Sequence, residues 1–342
     1  MLDDLQQIHE RDPQDALGIA GRQWEYLSRG FEATFTPTDE ILNVVLGGMG
    51  GSALYGVILQ TWPQLKVPFE IVRNYTLPPY VGPKTLFIAS SYSGNTEETL
   101  EALEHAEEKQ AQIVVIAAGG KLADKAREKG YPLFEVPGGI QPRMATLYLF
   151  SALIHVLAPL GLCAANTEEL SSLGEWLHEH TEGWAATVPT AQNQAKQIAQ
   201  ELMGKTLVMY SGPLMFAAAN KWKICANENA KNTSWVYQYP EFNHNEFIGW
   251  TSHPVDKPMA VVEIRSNLEH PRVQKRFEVS ERLLSGMRPS PIVVTPEGDT
   301  VLKQLAYAIA MGDFVGTYLA LLNGVNPTPV DLVEKFKAEL NK

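Results

Sequence analysis

From Ile41 onward, short apolar runs alternate with amphipathic stretches, a pattern that few folds accept. The strand-like runs are residues 43–46, 69–73, 85–89, 112–117 and 133–136, and residues 52–60, 97–109 and 121–129 between them have helical spacing. Alternation of this kind predicts right-handed βαβ units and a parallel sheet covered on both faces, an α/β fold. Residues 142–200 read as mostly helical, with Thr167 and Thr181 as caps. The alternation then restarts at 206–210 and continues through 259–264 and 291–295. There, Ser211-Gly212-Pro213 feeds a helical stretch at 214–219, echoing Gly50-Gly51-Ser52 in the first half. The expected organisation is a helical extension over 1–40, a first domain over 41–160, a helical connection over 161–200 and a second domain over 201–342.

At 342 residues the chain is long enough to bury two cores. Its net charge of −11 argues against a general nucleic-acid binder or a membrane-surface protein, since no basic stripe offsets it. Two cysteines, Cys163 and Cys225, give no disulfide framework and suit a reducing compartment. The start, Met1-Leu2-Asp3-Asp4, lacks a basic region followed by an apolar one, so no secretory signal is expected. The longest apolar stretch, around 147–162, is broken by His155, Pro159 and Gly161 and is short for a bilayer. A soluble, cytoplasmic protein is the expectation.

Two strand-to-helix turns carry the chemistry. Ser91-Tyr92-Ser93-Gly94-Asn95-Thr96 follows an apolar run and precedes a helix with acids in its first turn. A helix start offers unpaired N–H groups and the positive end of the dipole, and hydroxyls add donors without charge. Helix capping alone explains one hydroxyl comfortably and three less well. The other turn, Gly47-Gly48-Met49-Gly50-Gly51-Ser52, contains Gly48-x-Gly50-x-x-Ala53, a loose dinucleotide fingerprint, with Glu70 at a tolerable distance for a ribose contact. Glycines also serve plain tight turns. With a hydroxyl turn at the next strand end, a sugar-phosphate cradle with Gly50, Gly51, Ser52, Ser91, Ser93 and Thr96 fits better than a dinucleotide site.

Three more side chains stand out. Arg143 follows Pro142 at the start of an apolar helix, where a fixed guanidinium can stabilise a developing oxyanion. Glu228 sits among amide, small and basic neighbours in 221–231, an unusual setting for a solvated helical glutamate and a suitable one for a general base. His244, between Asn243 and Asn245, fits a positioned acid or base, although a structural histidine competes. A metal is not expected, because no second histidine or cysteine recurs at ligand spacing and His253 is set apart by a loop.

Taken together, these stretches resemble the bifunctional phosphoglucose/phosphomannose isomerases of the sugar isomerase (SIS) domain superfamily, from about residue 41 to the C-terminus. The carrying segments are 47–52, 91–99, Pro142-Arg143, Glu228-Asn229-Ala230-Lys231, 242–246, and a tail with Gly312-Asp313-Phe314, Tyr318-Leu319-Ala320 and Asn326-Pro327-Thr328-Pro329-Val330. The resemblance implies two SIS domains, each a flavodoxin-like parallel sheet flanked by helices. It also implies a homodimer with its active site near the subunit interface, and neither metal nor cofactor. Ser52, Ser91, Ser93 and Thr96 would hold phosphate or sugar. Glu228 would be the base, His244 the ring-opening group, Arg143 the enediolate stabiliser and Lys335 a C-terminal active-site lysine. Met144-Ala145-Thr146-Leu147 departs from the smaller Ala-Ala-Leu-Gly type expected after the arginine. In related isomerases the histidine reaches in from the partner subunit, so His244 is a candidate to act in trans. The implied reaction interconverts glucose and mannose 6-phosphates with fructose 6-phosphate through a cis-enediol. The competing classes are a non-catalytic sugar-phosphate sensor, which has no use for Glu228, His244 and Arg143 together, and a nicotinamide-linked reductase using the 47–53 turn.

Overall fold

The structure, a computed structural model, describes residues 1–62, 65–252 and 257–340. Asp4 and Asp12 start the chain's first two helices, α1 (Leu5–Arg11) and α2 (Ala16–Gly21), by accepting backbone N–H groups. There follow β1 (Asn43–Gly47), α3 (Gly51–Leu59), β2 (Phe69–Val72), β3 (Thr85–Ser91), α4 (Glu97–Glu108), β4 (Gln112–Ala117), α5 (Gly120–Lys129), β5 (Leu133–Glu135) and α6 (Thr146–Leu157). Next come α7 (Thr167–Thr181), α8 (Gln194–Leu202), β6 (Thr206–Ser211), α9 (Phe216–Glu228) and β7 (Ser234–Gln238). The chain continues through α10 (Glu246–Gly249), β8 (Met259–Ile264), α11 (Pro271–Leu283), β9 (Ile292–Val294), α12 (Val301–Leu322) and α13 (Asp331–Leu340).

The strands form two all-parallel sheets, ordered β2-β1-β3-β4-β5 and β7-β6-β8-β9. β3 and β4 are buried along their whole length, which is why they read as continuous apolar runs. Each alternate face of the first sheet meets helices, as with Val45, Phe87 and Val115 against Ala102, Leu103 and Leu122. Beside the second sheet, Tyr210, Tyr239, Phe242, Val261 and Phe277 make an aromatic-rich core.

The packing of the chain defines two units, 22–178 and 1–21 with 179–342, and this division differs from the expected boundaries. The stretch 1–40 is not one extension. Its first part packs with the second unit, where α2 lies against α12. Its remainder packs with the first: the 3-10 turn Gln23–Leu27 lies on α6, and the Thr38 N–H donates to Gln112 Oε1 at 2.8 Å. Helix also stops at Leu27, since residues 28–42 carry Pro37 among β-branched threonines. The expected 161–200 connection divides inside α7, and Thr181 ends that helix without a side-chain capping bond.

The longest apolar helix is α12, not the 147–162 stretch. By length and composition α12 could cross a membrane, but it is buried in its own unit, where its Asp313 pairs with Lys221 at 2.7 Å. That pair, completely removed from water, registers α12 against α9.

Candidate active site

Parallel strands deliver their carboxyl ends to one edge of a sheet, and in the first unit the two marked turns meet at that edge. Ser52 is buried, and its Oγ accepts the Tyr92 N–H at 2.9 Å while its carbonyl accepts Ser90 Oγ at 2.7 Å. The expected phosphate donor Ser52 is thus first a stitch between the two turns. Gly50 has φ 49° and ψ −126°, with open space where a Cβ would stand. Gly51 is glycine for another reason: a Cβ there would lie 2.8 Å from both Pro142 C and Arg143 N.

Ser91 Oγ and Thr96 Oγ1 lie 2.8 Å apart, and Ser91 Oγ also accepts the Gly94 N–H at 3.1 Å. Ser93 is exposed and its Oγ accepts the Asn95 N–H at 3.3 Å. Thr96 stands at the N-cap of α4, yet no side chain caps that helix. Ser91 and Ser93 accept amides within the turn, and no N-cap side chain takes up the first N–H groups of α4. Glu70, the possible ribose contact of a dinucleotide site, accepts instead from Tyr80 OH at 2.5 Å.

Tyr92 is the residue that sequence reasoning missed here. Its hydroxyl donates to the Pro137 carbonyl at 2.8 Å and accepts the Ile140 N–H at 3.3 Å, so one side chain joins the hydroxyl turn to the loop before Arg143. Burial raises its phenol above the ordinary value, which keeps it a neutral donor. Arg143, buried at 2% exposure, lies in the 3-10 turn Pro142–Ala145 and donates from Nη1 to Gln141 Oε1 at 3.2 Å. Thr146 departs from the expected small-residue pattern; its Oγ1 closes that turn on the Arg143 carbonyl at 2.9 Å.

The other three candidates lie in the second unit. Glu228 is the last residue of α9 and is half-buried. His244 ends the 3-10 turn Glu241–His244 and is exposed, and its ring makes no hydrogen bond among the described residues. Its neighbours are fixed: Asn243 bonds Ser280 and Arg276, and Asn245 bonds Glu241. Nearby, Glu246 accepts from the Tyr210 hydroxyl, which also accepts Trp250 Nε1 at 3.2 Å; burial first, then this carboxylate, raises the Tyr210 phenol. Lys335 lies on α13, exposed like the rest of that helix. No hydrogen bond joins Glu228, His244 and Lys335 to one another among the described residues. Among those residues no cluster of metal-ligating side chains occurs, and His253 lies outside them.

Residues 191–340 match the family model described as the bacterial phospho-glucose isomerase C-terminal SIS domain. A protein of Aquifex aeolicus (strain VF5) named bifunctional phosphoglucose/phosphomannose isomerase is 33% identical over 302 residues, covering 87% of this chain and 90% of that one. One of the same name from Caldicellulosiruptor bescii is 34% identical over 307 residues, covering 88% and 90%. Among solved structures, a hypothetical protein from Thermus thermophilus superposes with a TM-score of 0.69 at 17% identity, over 98% of this chain and 89% of that one, a likeness of fold.

Proposed function

The chain belongs to the bifunctional phosphoglucose/phosphomannose isomerase family, and from that membership we infer that it interconverts glucose 6-phosphate and mannose 6-phosphate with fructose 6-phosphate. The observation that carries the substrate class to this chain is the 91–96 turn. Its Ser91 and Thr96 hydroxyls meet at a helix start with no N-cap side-chain bond, an arrangement that suits a phosphate monoester. Each sheet with its helices is assigned as one SIS domain, and the match over 191–340 supports that assignment for the second.

The chemistry uses few groups. Ser91, Ser93 and Thr96, with the open face of Gly50, anchor the phosphate of the closed-ring sugar. His244, aided by Lys335, moves a proton from the C1 hydroxyl to the ring oxygen and opens the ring. Glu228 takes the proton from C2 and returns it to C1, while the proton on O2 passes to O1. Arg143 offsets the negative charge of the cis-enediolate between those steps. Abstraction next to a carbonyl is the hard step, so a placed base and a fixed cation should supply most of the acceleration. The phosphate contributes remote binding energy that orients C2. Mannose and glucose 6-phosphates differ only at C2 and share one enediol, so a base tolerant of either configuration serves both.

A homodimer with His244 acting in trans is part of this proposal. The exposure of His244 supports it, as do Ile248 at 69%, Leu332 at 80% and Phe336 at 62% exposed, apolar side chains that a second copy would cover. The cytoplasm is the proposed compartment, supported by two free buried cysteines. Purified, EDTA-treated protein should convert fructose 6-phosphate into both glucose 6-phosphate and mannose 6-phosphate, quantified separately. Glucose 6-phosphate alone would narrow the activity, and neither product would overturn it.

A further inference from the structure

Lys231 follows α9 by three residues and holds a backbone conformation that lysine seldom adopts, φ 52°. Its side chain folds back onto main chain. The ammonium donates to the carbonyls of Glu228 at 2.8 Å and Asn229 at 3.3 Å on one side. On the other it reaches the carbonyls of Asn326 at 2.9 Å and Pro327 at 3.3 Å, about a hundred residues along the chain. An ammonium has three donors, and a cage of carbonyls at a helix C-terminus is where a cation is most favoured. Asn323 adds a parallel tie, donating from Nδ2 to the Ala230 carbonyl at 3.0 Å. Asn326 is itself ordered: its Oδ1 accepts the Thr328 N–H at 2.9 Å, fixing the turn that leads into α13 and Lys335.

We propose that Lys231 is a positioning residue that clamps the end of α9, and with it the carboxylate of Glu228, to the segment leading to Lys335. The proposal rests on Glu228 being the base. The clamp removes the freedom of the last helical turn, which would otherwise fray and let the carboxylate move by an ångström or more. A base misplaced by that distance costs about 10²-fold in turnover. Phosphate anchoring in the other unit does not pass through Lys231, so substrate affinity should be spared. A lysine is suited to this work because its flexible stem delivers a compact charge to several carbonyls that a planar guanidinium would not fit.

Two readouts test this in full-length protein. In Lys231→Met, kcat for fructose 6-phosphate should fall about 10²-fold while KM moves less than about threefold. Amide exchange should rise together in 226–230 and 326–330, and nowhere else. In Lys231→Cys, alkylation with bromoethylamine restores an ammonium at lysine's reach and should restore kcat, with wild type treated identically because its cysteines are buried. Unchanged exchange in either segment overturns the clamp whatever the activity. Loosened segments with wild-type kcat overturn its link to Glu228, as does a lost kcat that alkylation leaves unrestored. Wild type with no turnover overturns the isomerase reading, and the exchange result then judges the clamp by itself.

Discussion

The turns after β3 and after β8 hold corresponding places in two sheets of like order, β2-β1-β3 and β7-β6-β8, but they are finished in opposite ways. In the first unit the β1 turn and the β3 turn are stitched by Ser52 and Tyr92, and α4 begins with no side-chain cap. In the second, the carboxylate of Glu269 reaches from the loop after β8 to the β6 turn and accepts the Leu214 N–H at 2.8 Å. The start of α11 is closed too, by Pro271 at its first position and by His270 Nδ1 accepting the Arg272 N–H at 3.1 Å. A Cβ on Gly212 would lie 2.2 Å from Glu269 Oε1, so this carboxylate packs directly on the backbone of the β6 turn. In the proposed function, the first unit keeps the turn after β3 for an incoming phosphate. In the second, the Glu269 carboxylate sits at the corresponding turn, and the proton-transfer candidates Glu228, His244 and Lys335 lie in that unit too. We propose that anchoring and proton transfer are thereby divided between the two units.

That division can be broken most severely at Glu228. In Glu228→Gln, isomerisation should drop by about 10³-fold or more while binding of a sugar phosphate persists. Loss of binding in equilibrium dialysis would show that the second unit also anchors substrate. Next in size is Gly51→Ala, which drives a methyl into the Pro142–Arg143 backbone and should cost about 1–3 kcal/mol by urea denaturation. An unshifted midpoint would mean that this close approach does not exist.

Tyr92→Phe removes the tie to Pro137 and Ile140 and should cost about 1 kcal/mol in stability, with a several-fold loss of kcat through Arg143. Equal kcat in the two proteins would exclude Tyr92 from placing Arg143. A pH-dependent effect belongs to Glu269, whose carboxyl burial raises to about 6 from an ordinary 4.5, partly offset by the amides it accepts. The folded state therefore holds an extra proton between those values. Its stabilising contribution is present below pH 4.5 and is lost as pH rises through 6, by about 2 kcal/mol. Glu269→Gln keeps an acceptor without the charge, so its thermal midpoint at pH 8 should equal or exceed that of wild type. A clear drop at pH 8 would show instead that the charge itself is needed at the β6 turn.

Much of the first sheet was legible because its central strands β1, β3 and β4 are buried on both faces. All five of its strands and three of its helices fall within two residues of the positions the sequence suggests. β7 escaped notice for the converse reason. As an edge strand reading Ser-Trp-Val-Tyr-Gln, with Trp235 exposed, it has an apolar run of only three residues between polar ones. At the sites, sequence marked the residues whose chemistry is intrinsic: hydroxyls at a helix start, a guanidinium and a carboxylate. It gave no role to Tyr92, Lys231 or Glu269, because each acts on backbone groups, many of them tens of residues away. Main-chain partners leave no pattern in a sequence. Lys231 gives the one local hint, a lysine just past a helix end, where glycine or asparagine is the common choice.

The most direct test of the division of labour is the stoichiometry of glucitol 6-phosphate, which carries the phosphate but no carbonyl to turn over. Calorimetric titration should give one site per chain, with affinity lowered at least about 10-fold in Thr96→Val and unchanged in Glu269→Gln. Two sites per chain, or full affinity in Thr96→Val, would contradict an anion site that is open in one unit and closed in the other.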